Sequence, residues 1–562
     1  MLSFTIARRP DFRRLSSQST FDVAVIGGGI TGTGIARDAA LRGLSVILIE
    51  RDDLAAGTSS RSSRLIHGGL RYLEQARLGL VHESVVERWR LMRLAPHLAR
   101  PLPFLFPVYQ GERPSLAVVK MGTVLYSAIS YFRTPGSVFG VSPQQAASAE
   151  PGLGRTGLVG CAGYYDCSTM DARLTFETAL DAVSANAVVL TRAHVSSIST
   201  GKDLIELGVQ DLLEDRRLTL RARTLAIAAG PWTDAVLPLT DATASRWLRP
   251  TKGAHLVFDA ARFPLHHAVV MKSAADRRTT FAVPWGRRTY VGTTDTDFPD
   301  PSASPAVDAA DCRYLLDTAN RYFPALKLEP ADVVSVWAGV RPLIAPPQSL
   351  TGSRAPSDVS REERIEESRG RIVTVAGGKL TTYRAMAEGV VDRLARMLEK
   401  MGHEKVPASD TASRPLPGGR GVESLETLTD TLQRSYPRMP GSWLSALVAR
   451  LGSRAAEVVE LAEKDSSLLE PLPGADWIRL AEVVHAVEAE CISTVSDFLE
   501  RRTAIFHLVA DQGVSASRVV ADVLEKKGIT SRQEAISQVE GYRQDAGAWK
   551  RLLVHPGGAS RP

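Results

Sequence analysis

The sequence predicts an α/β chain that opens with a dinucleotide-binding βαβ unit and closes with a separate helical domain. Three observations predict it. Asp22–Ile26 (DVAVI) is a short apolar run that stops at Gly27-Gly28-Gly29. Ile30–Arg42 follows, with Ile30, Ile35, Ala36, Ala39 and Ala40 at helical spacing. Leu44–Ile49 (LSVILI) is a continuous apolar run, the pattern of a parallel strand buried on both faces, and it stops at Glu50.

The later elements follow the same logic. Strands are expected at Val188–Thr191, Leu218–Ala229, His255–Phe258, Thr279–Val283 and Ile372–Val375. Two of them end in glycine-marked turns, Ala228-Ala229-Gly230-Pro231 and Ala376-Gly377-Gly378. Gln348–Gly370 has the Ser/Pro/Arg/Glu composition of a loop. After Gly389 the pattern becomes helical, with a Pro/Gly-rich linker at Pro415–Gly421 and amphipathic helices through Ala475–Asp511. A composite αβ body to about Met397 and a helical C-terminal domain result, with no fixed-period repeat.

Composition narrows the function classes. With 562 residues, 44% hydrophobic and 23% charged, the chain is neither a small binding module nor a disordered or fibrous one. Half of the formal charge of +6 sits in the first twenty residues, from Arg8, Arg9, Arg13 and Arg14 against Asp11, so no nucleic-acid footprint remains for the body. Cys161, Cys167, Cys312 and Cys491 form neither a C-x-x-C pair nor a zinc ladder, and no metal site is expected; so few thiols favour a reducing compartment. The most membrane-like stretch, Ser115–Phe132, contains Lys120 and falls short of the roughly twenty apolar residues of a span. Met1–Thr20, rich in Arg and Ser, reads either as a mitochondrial presequence or as a basic tail on a bacterial protein.

The chemistry begins at Gly27-x-Gly29-x-x-Gly32, a G-x-G-x-x-G turn between a strand and a helix, with Gly28 inside it. Glu50 ends the next strand about twenty residues on, where a carboxylate accepts hydrogen bonds from an adenosine ribose. Beyond it, Thr58–Tyr72 is a dense polar and glycine-rich segment that a plain nicotinamide dehydrogenase does not need. Together with PWGRRTYVGTTDTD (284–297), WAGVRPL (337–343) and TVAGGKLTTYRAMAE (374–388), the run TSSRSSRLIHGGLRYLE (58–74) resembles the FAD-dependent glycerol-3-phosphate dehydrogenase family. Val483–Arg502 is similar to that family's helical C-terminal domain.

The resemblance implies a Rossmann-like FAD-binding domain (segments about 21–80, 155–250 and 370–397), an antiparallel-sheet substrate or cap domain (about 81–154 and 251–369), an all-α C-terminal domain at 398–545, and tails at 1–20 and 546–562. It implies FAD along Gly27, Gly28, Gly29, Gly32 and Glu50, near Thr58, Ser59, Ser60, the His67-Gly68-Gly69 turn and Gly230, with Gly377, Gly378, Lys379 and Leu380 opening a helix toward the flavin. A helix N-terminus there would stabilise the negative charge of a reduced flavin. For the substrate it implies Arg71, Tyr72 and Arg361 as ligands, the two arginines chiefly for phosphate, which a guanidinium grips with two parallel hydrogen bonds. Arg341 and Lys379 are expected nearer the C2 hydroxyl. His255 is the candidate proton acceptor, with Lys379 or Arg341 as competitors. Trp232, Trp285 and Trp337 read as core or cofactor-pocket packing.

The expected activity is oxidation of glycerol 3-phosphate to dihydroxyacetone phosphate, with electrons passed to ubiquinone or menaquinone. The expected placement is the cytoplasmic face of a bacterial inner membrane, in peripheral contact through 114–133, with the mitochondrion as the lesser alternative and a homodimer left open. A glycerophosphate oxidase using oxygen and a non-catalytic dinucleotide sensor are the alternatives. No D-x-[DN]-x-[DN]-G calcium loop occurs, which favours a bacterial member.

Overall fold

The computed structural model describes residues 15, 20–70, 73, 77–129, 133, 136–345 and 362–554. Apolar runs without polar interruption become the parallel strands of the first sheet. Ile372–Gly377, Arg217–Ile227, Thr20–Ile26, Val46–Ile49 and Val188–Leu190 lie side by side in that order. Alternation along each strand covers both faces. Val23, Val25, Val46 and Leu48 meet the helices Ile30–Leu41, Asp171–Ser184 and Tyr383–Lys400, while Ala24, Ile26, Ile47 and Ile49 meet residues of the hairpin Ala193–Asp211. The strand Glu363–Ser368 closes one edge, antiparallel to Ile372–Gly377. The loop expected through 348–370 therefore ends in a strand, whose alternating charges suit a sheet edge; the part at 346–361 lies outside the described residues.

The second sheet has ten strands and is mostly antiparallel. Its two longest ladders join Leu248–Asp259 to Val333–Ile344 and Arg100–Tyr109 to Leu158–Ser168. This moves one expected boundary. Leu158–Ser168, assigned by the 155–250 segment to the dinucleotide half, belongs to the second sheet, as does Leu65–Ile66, because both pair there rather than with the parallel strands.

The C-terminal domain is mostly helical, with three departures from the sequence reading. Ala475–Arg479 forms a small hairpin with Pro471–Leu472 before the helix Leu480–Ala489. Pro417-Gly418-Gly419 is no free linker: all three are buried, and Gly418 packs on His97 and Leu451. The tail expected from 546 is helix to Val554, since the last helix starts at Arg532 and carries Trp549 into the core beneath the second sheet, beside Phe263 and Phe323.

Buried ion pairs fasten this domain to the dinucleotide half. Asp53 accepts from Arg501 at 2.7 Å and from both terminal nitrogens of Arg502, at 2.8 and 3.0 Å. Arg173, on a helix under the first sheet, donates to Glu490 at 2.6 Å, and Arg454 bridges Glu177 and Glu490 at 3.2 and 3.1 Å. Burial alone would raise the Glu490 carboxyl, but Arg173 and Arg454 outweigh it and hold the group well below the usual carboxylate range. His97 lies at the same seam. Burial, with Arg173, Arg100 and Arg454 nearby, pushes its imidazole down to about 3.

Two outcomes follow from this seam. Asp53→Ala leaves two buried guanidinium groups without their shared carboxylate, a loss of about 3–5 kcal/mol, read as a lowered unfolding temperature by calorimetry of the purified protein. The second concerns pH. The folded His97 value lies below the ordinary 6.5, so between the two the unfolded chain binds a proton that the native state refuses. The stability this contributes is complete above about pH 6.5 and is lost as pH falls. The unfolding temperature should decline below about pH 6.5, before carboxylates titrate, and His97→Gln should make that decline shallower; an unchanged slope contradicts the assignment.

Candidate active site

The glycine turn is built by close packing. Gly27 has φ +111°, and a Cβ there would stand 2.5 Å from the Ala228 carbonyl oxygen; a Cβ on Gly32 would strike the Gly27 carbonyl. These two glycines are required by the chain's own contacts. Gly29 is different, since a Cβ there would meet only Ser59 Oγ at 3.2 Å, leaving its surface open to a ligand. Gly28 donates its N–H to Glu50 Oε2 at 2.6 Å, and Asp52 donates to Glu50 Oε1 at 2.7 Å, so one carboxylate braces both the turn and the strand end. Burial raises the Glu50 carboxyl, opposed by those two backbone donors. Ser59 Oγ accepts the first helical N–H, that of Ile30, at 2.9 Å. Glycine turn, helix N-terminus and strand-end carboxylate together fit the adenosine diphosphate half of FAD.

At the seam between the two sheets lies a cavity of about 520 Å³. Thr58, His67, Gly69, Gly377, Gly378, Lys379 and Leu380 line it from the dinucleotide side, and His255 and Arg341 from the second sheet. The sheet register explains the latter pair. His255 stands opposite Trp337, Gly253 opposite Gly339 and Thr251 opposite Arg341, so period-two alternation puts all six residues on one face. The cross-strand pair Gly253–Gly339 admits close approach of neighbouring groups. A Cβ on Gly253 would collide with the Arg341 guanidinium, and one on Gly339 would sit 2.5 Å from the Arg61 carbonyl.

His255 is buried and stacked on Trp337, with ring centroids 4.4 Å apart and planes 11° from parallel. Its Nε2 is 2.9 Å from Ser63 Oγ. Burial, then Arg341, then Arg64 hold its imidazole well below its ordinary value, so it is neutral near pH 7 and able to accept a proton. Arg341 is oriented by Asp295 at 3.1 Å and Thr293 Oγ1 at 2.9 Å. Lys379 reaches Ser84 Oγ at 3.2 Å from the turn before the helix Tyr383–Lys400.

The remaining expected residues take various places. The His67 backbone exchanges hydrogen bonds with Thr381 Oγ1, and Gly68 N–H donates to Asp166, which also accepts from Tyr126 at 2.7 Å and from Arg88. Ser60 Oγ turns back to the Gly57 carbonyl. Gly230 follows Ala228 and Ala229, which abut Gly27. Trp337 packs on His255 and Trp285 on Trp337, whereas Trp232 is 40% exposed and donates to the Pro301 carbonyl. Arg71, Tyr72 and Arg361 lie outside the described residues. Sequence reasoning missed Ser63, Arg278 and Asp295, which also line the cavity. All three fall inside or beside quoted motifs, but nothing in their spacing distinguishes them from neighbours.

One wall is apolar. The helix Leu116–Ile129 lines the cavity through Val118, Val119, Met121, Gly122 and Leu125, and three of these, Val118, Met121 and Leu125, together with Val124 are between 46% and 67% exposed. No helix among the described residues is long and apolar enough to cross a membrane.

Known proteins match this architecture across its length. Residues 22–415 match the FAD dependent oxidoreductase family, and 409–534 match the C-terminal domain of alpha-glycerophosphate oxidase. The aerobic glycerol-3-phosphate dehydrogenase of Staphylococcus epidermidis is 32% identical over 530 residues, 93% of this chain and 94% of that protein. Glycerol-3-phosphate dehydrogenase 2 of Mycobacterium tuberculosis is 36% identical over 520 residues, 91% of this chain and 86% of that one. The crystal structure of the Bacillus halodurans glycerol-3-phosphate dehydrogenase complexed with FAD superposes with a TM-score of 0.80 at 29% identity, covering 99% of this chain and 100% of that one. From glycine turn to helical C-terminus, the chain belongs to the FAD-dependent glycerol-3-phosphate dehydrogenase family.

Proposed function

We propose that this chain oxidises sn-glycerol 3-phosphate to dihydroxyacetone phosphate and delivers the electrons to a quinone at a membrane surface. The observation that carries the reading is the meeting of a neutral buried imidazole, His255, with two cations, Arg341 and Lys379, on the walls of one cavity at the seam of the two sheets. FAD, held by the Gly27–Gly32 turn, Glu50 and the Gly377–Leu380 turn, would supply the two-electron acceptor for the oxidation at C2. His255 takes the C2 hydroxyl proton as the C=O bond forms. Arg341, fixed by Asp295 and Thr293, and Lys379 balance the charge that develops on that oxygen. The family resemblance assigns the phosphate to Arg71 and Arg361.

The quinone part rests on the apolar helix Leu116–Ile129. A face carrying Val118, Met121, Val124 and Leu125 suits an acyl-chain boundary, and the same helix forms a wall of the cavity, so a lipid-soluble acceptor reaches the site without crossing water. Peripheral attachment to the cytoplasmic face of a bacterial inner membrane accords with the bacterial relatives.

Glu50→Ala should remove a charge-assisted hydrogen bond of about 1.5–3 kcal/mol, lowering FAD affinity roughly ten- to a hundredfold; flavin retention through dialysis at the wild-type level contradicts the ribose role. For the two half-reactions, stopped flow without acceptor should find flavin reduction slowed at least about a hundredfold in His255→Ala, with reoxidation by quinone unaltered. Wild-type reduction in that variant transfers the proton to Lys379 or Arg341. Fast reoxidation by oxygen with stoichiometric peroxide replaces the quinone reading with an oxidase.

A further inference from the structure

Behind the substrate face lies a cation that the mechanism above does not use. Arg64 is buried, 4% exposed, and absent from the cavity lining although Arg61, Ser62, Ser63 and Leu65 all contribute to it. Its guanidinium carbon sits 4.0 Å from the ring centroid of Trp285 and 4.9 Å from that of Trp337, the ring on which His255 stacks. Its backbone is held in the left-handed region at φ +53° by fixed neighbours. Asp171 accepts from the N–H and hydroxyl of Ser62 at 3.0 and 2.7 Å, Trp337 Nε1 donates to the Ser62 carbonyl at 3.0 Å, and Tyr290 donates to the Ser63 carbonyl at 2.6 Å. The Arg64 carbonyl itself accepts from Thr169 at 2.9 Å. The segment that carries Arg64 therefore also carries Ser63, whose Oγ lies 2.9 Å from His255 Nε2.

Burying a guanidinium is costly unless it is well paired, and here Nε has no hydrogen-bond partner. Packing between two tryptophans would be served as well by a methionine. The charge is what a methionine lacks, and its neighbour is the proton acceptor. We propose that Arg64 is a positioning residue for the alcohol oxidation: stacked on Trp285 and Trp337 it fixes the ring on which His255 lies, and it places a positive charge behind that imidazole. This rests on the assignment of His255 as base.

The charged and titratable groups around His255 support that role. Arg341 faces it from its partner strand, Arg64 from the segment before the His67 turn, Tyr290 from strand Arg288–Gly292, and His507 from the C-terminal domain across Trp337, at 5.2 Å between rings. Asp295 engages Arg341, and Asp171 is the carboxylate near Arg64. Burial is the largest influence on His255, Arg341 the next and Arg64 the third, all in the same direction. Removing Arg64 therefore raises the imidazole's affinity for protons without restoring its ordinary value.

The test uses the FAD-loaded enzyme with Arg64→Met and Arg64→Lys. Two readings are taken from each: the pH dependence of flavin reduction by glycerol 3-phosphate, and the titration of the His255 Cε1–H resonance in histidine-labelled protein, assigned by its loss in His255→Gln. Arg64→Met should move both the acid limb and the resonance upward by about one pH unit, whereas Arg64→Lys should stay near wild type. If Arg64→Met does not fold, Arg64→Gln carries the same readings. A folded Met or Gln variant with an unmoved resonance overturns the proposal, however much its rate falls. Wild-type reduction in His255→Gln would instead remove His255 as base, and with it the role proposed for Arg64, even where the resonance shifts.

Discussion

Asp53 is the point on which the two halves of the molecule are joined. It follows the strand-end Glu50 by three residues and takes Arg501 and Arg502 of the helical domain at once, inside a buried seam. Through Arg502 the contact continues to the Glu490 carbonyl, through Glu490 to Arg173 and Arg454, and through Glu177 to the backbone of Gly418. Charges withdrawn from water in this way are tolerated only when each has partners, so the seam admits one arrangement of the domains. The carboxylate that braces the nucleotide turn is thus held close to the residue that anchors the C-terminal helices.

That constraint reaches the chemistry from the other side as well. His507 and Phe506 of the C-terminal domain pack on the His255 face of the second sheet, with Ser335 Oγ 3.3 Å from the Phe506 carbonyl and the His507 ring against Trp337. Trp549, further along, closes the core under the same sheet. The helical domain therefore backs the aromatic layer on which His255 rests. On the same face, a Cβ at Gly253 would collide with Arg341 and one at Gly339 with the Arg61 carbonyl, so the two glycines let Arg341 and the Arg61 segment seat closely against the sheet. Such close seating suits proton and hydride transfer, because both are sensitive to sub-ångström placement.

The apolar helix Leu116–Ile129 is tied to the site by its inner face. Tyr126 donates to Asp166, and Asp166 accepts from Gly68 in the glycine turn beneath the cavity. Its exposed residues are unburied hydrocarbon, which a soluble monomer rarely leaves in one patch, and Val118, Met121 and Leu125 among them also line the cavity.

Much was legible in the sequence by itself. The turn at Gly27–Gly32, the carboxylate of Glu50 and the buried parallel strands are local patterns, each written within a few residues by backbone sterics and strand periodicity. The long motifs around His255, Arg341 and Lys379 carried the family and the substrate class. Tertiary structure decided what depends on pairing between distant segments. Asp53 and Arg501 are 448 residues apart, and no local period marks them as partners. Leu158–Ser168 joins the second sheet because its ladder partner is Arg100–Tyr109, a choice its apolar composition does not encode. Pro417–Gly419 has linker composition and a buried position, since His97 and Leu451 cover it. Arg64 reads as one more surface arginine until the fold stacks it on Trp285 and Trp337. Burial and long-range pairing are properties of the folded chain, and they hold the His255 imidazole neutral.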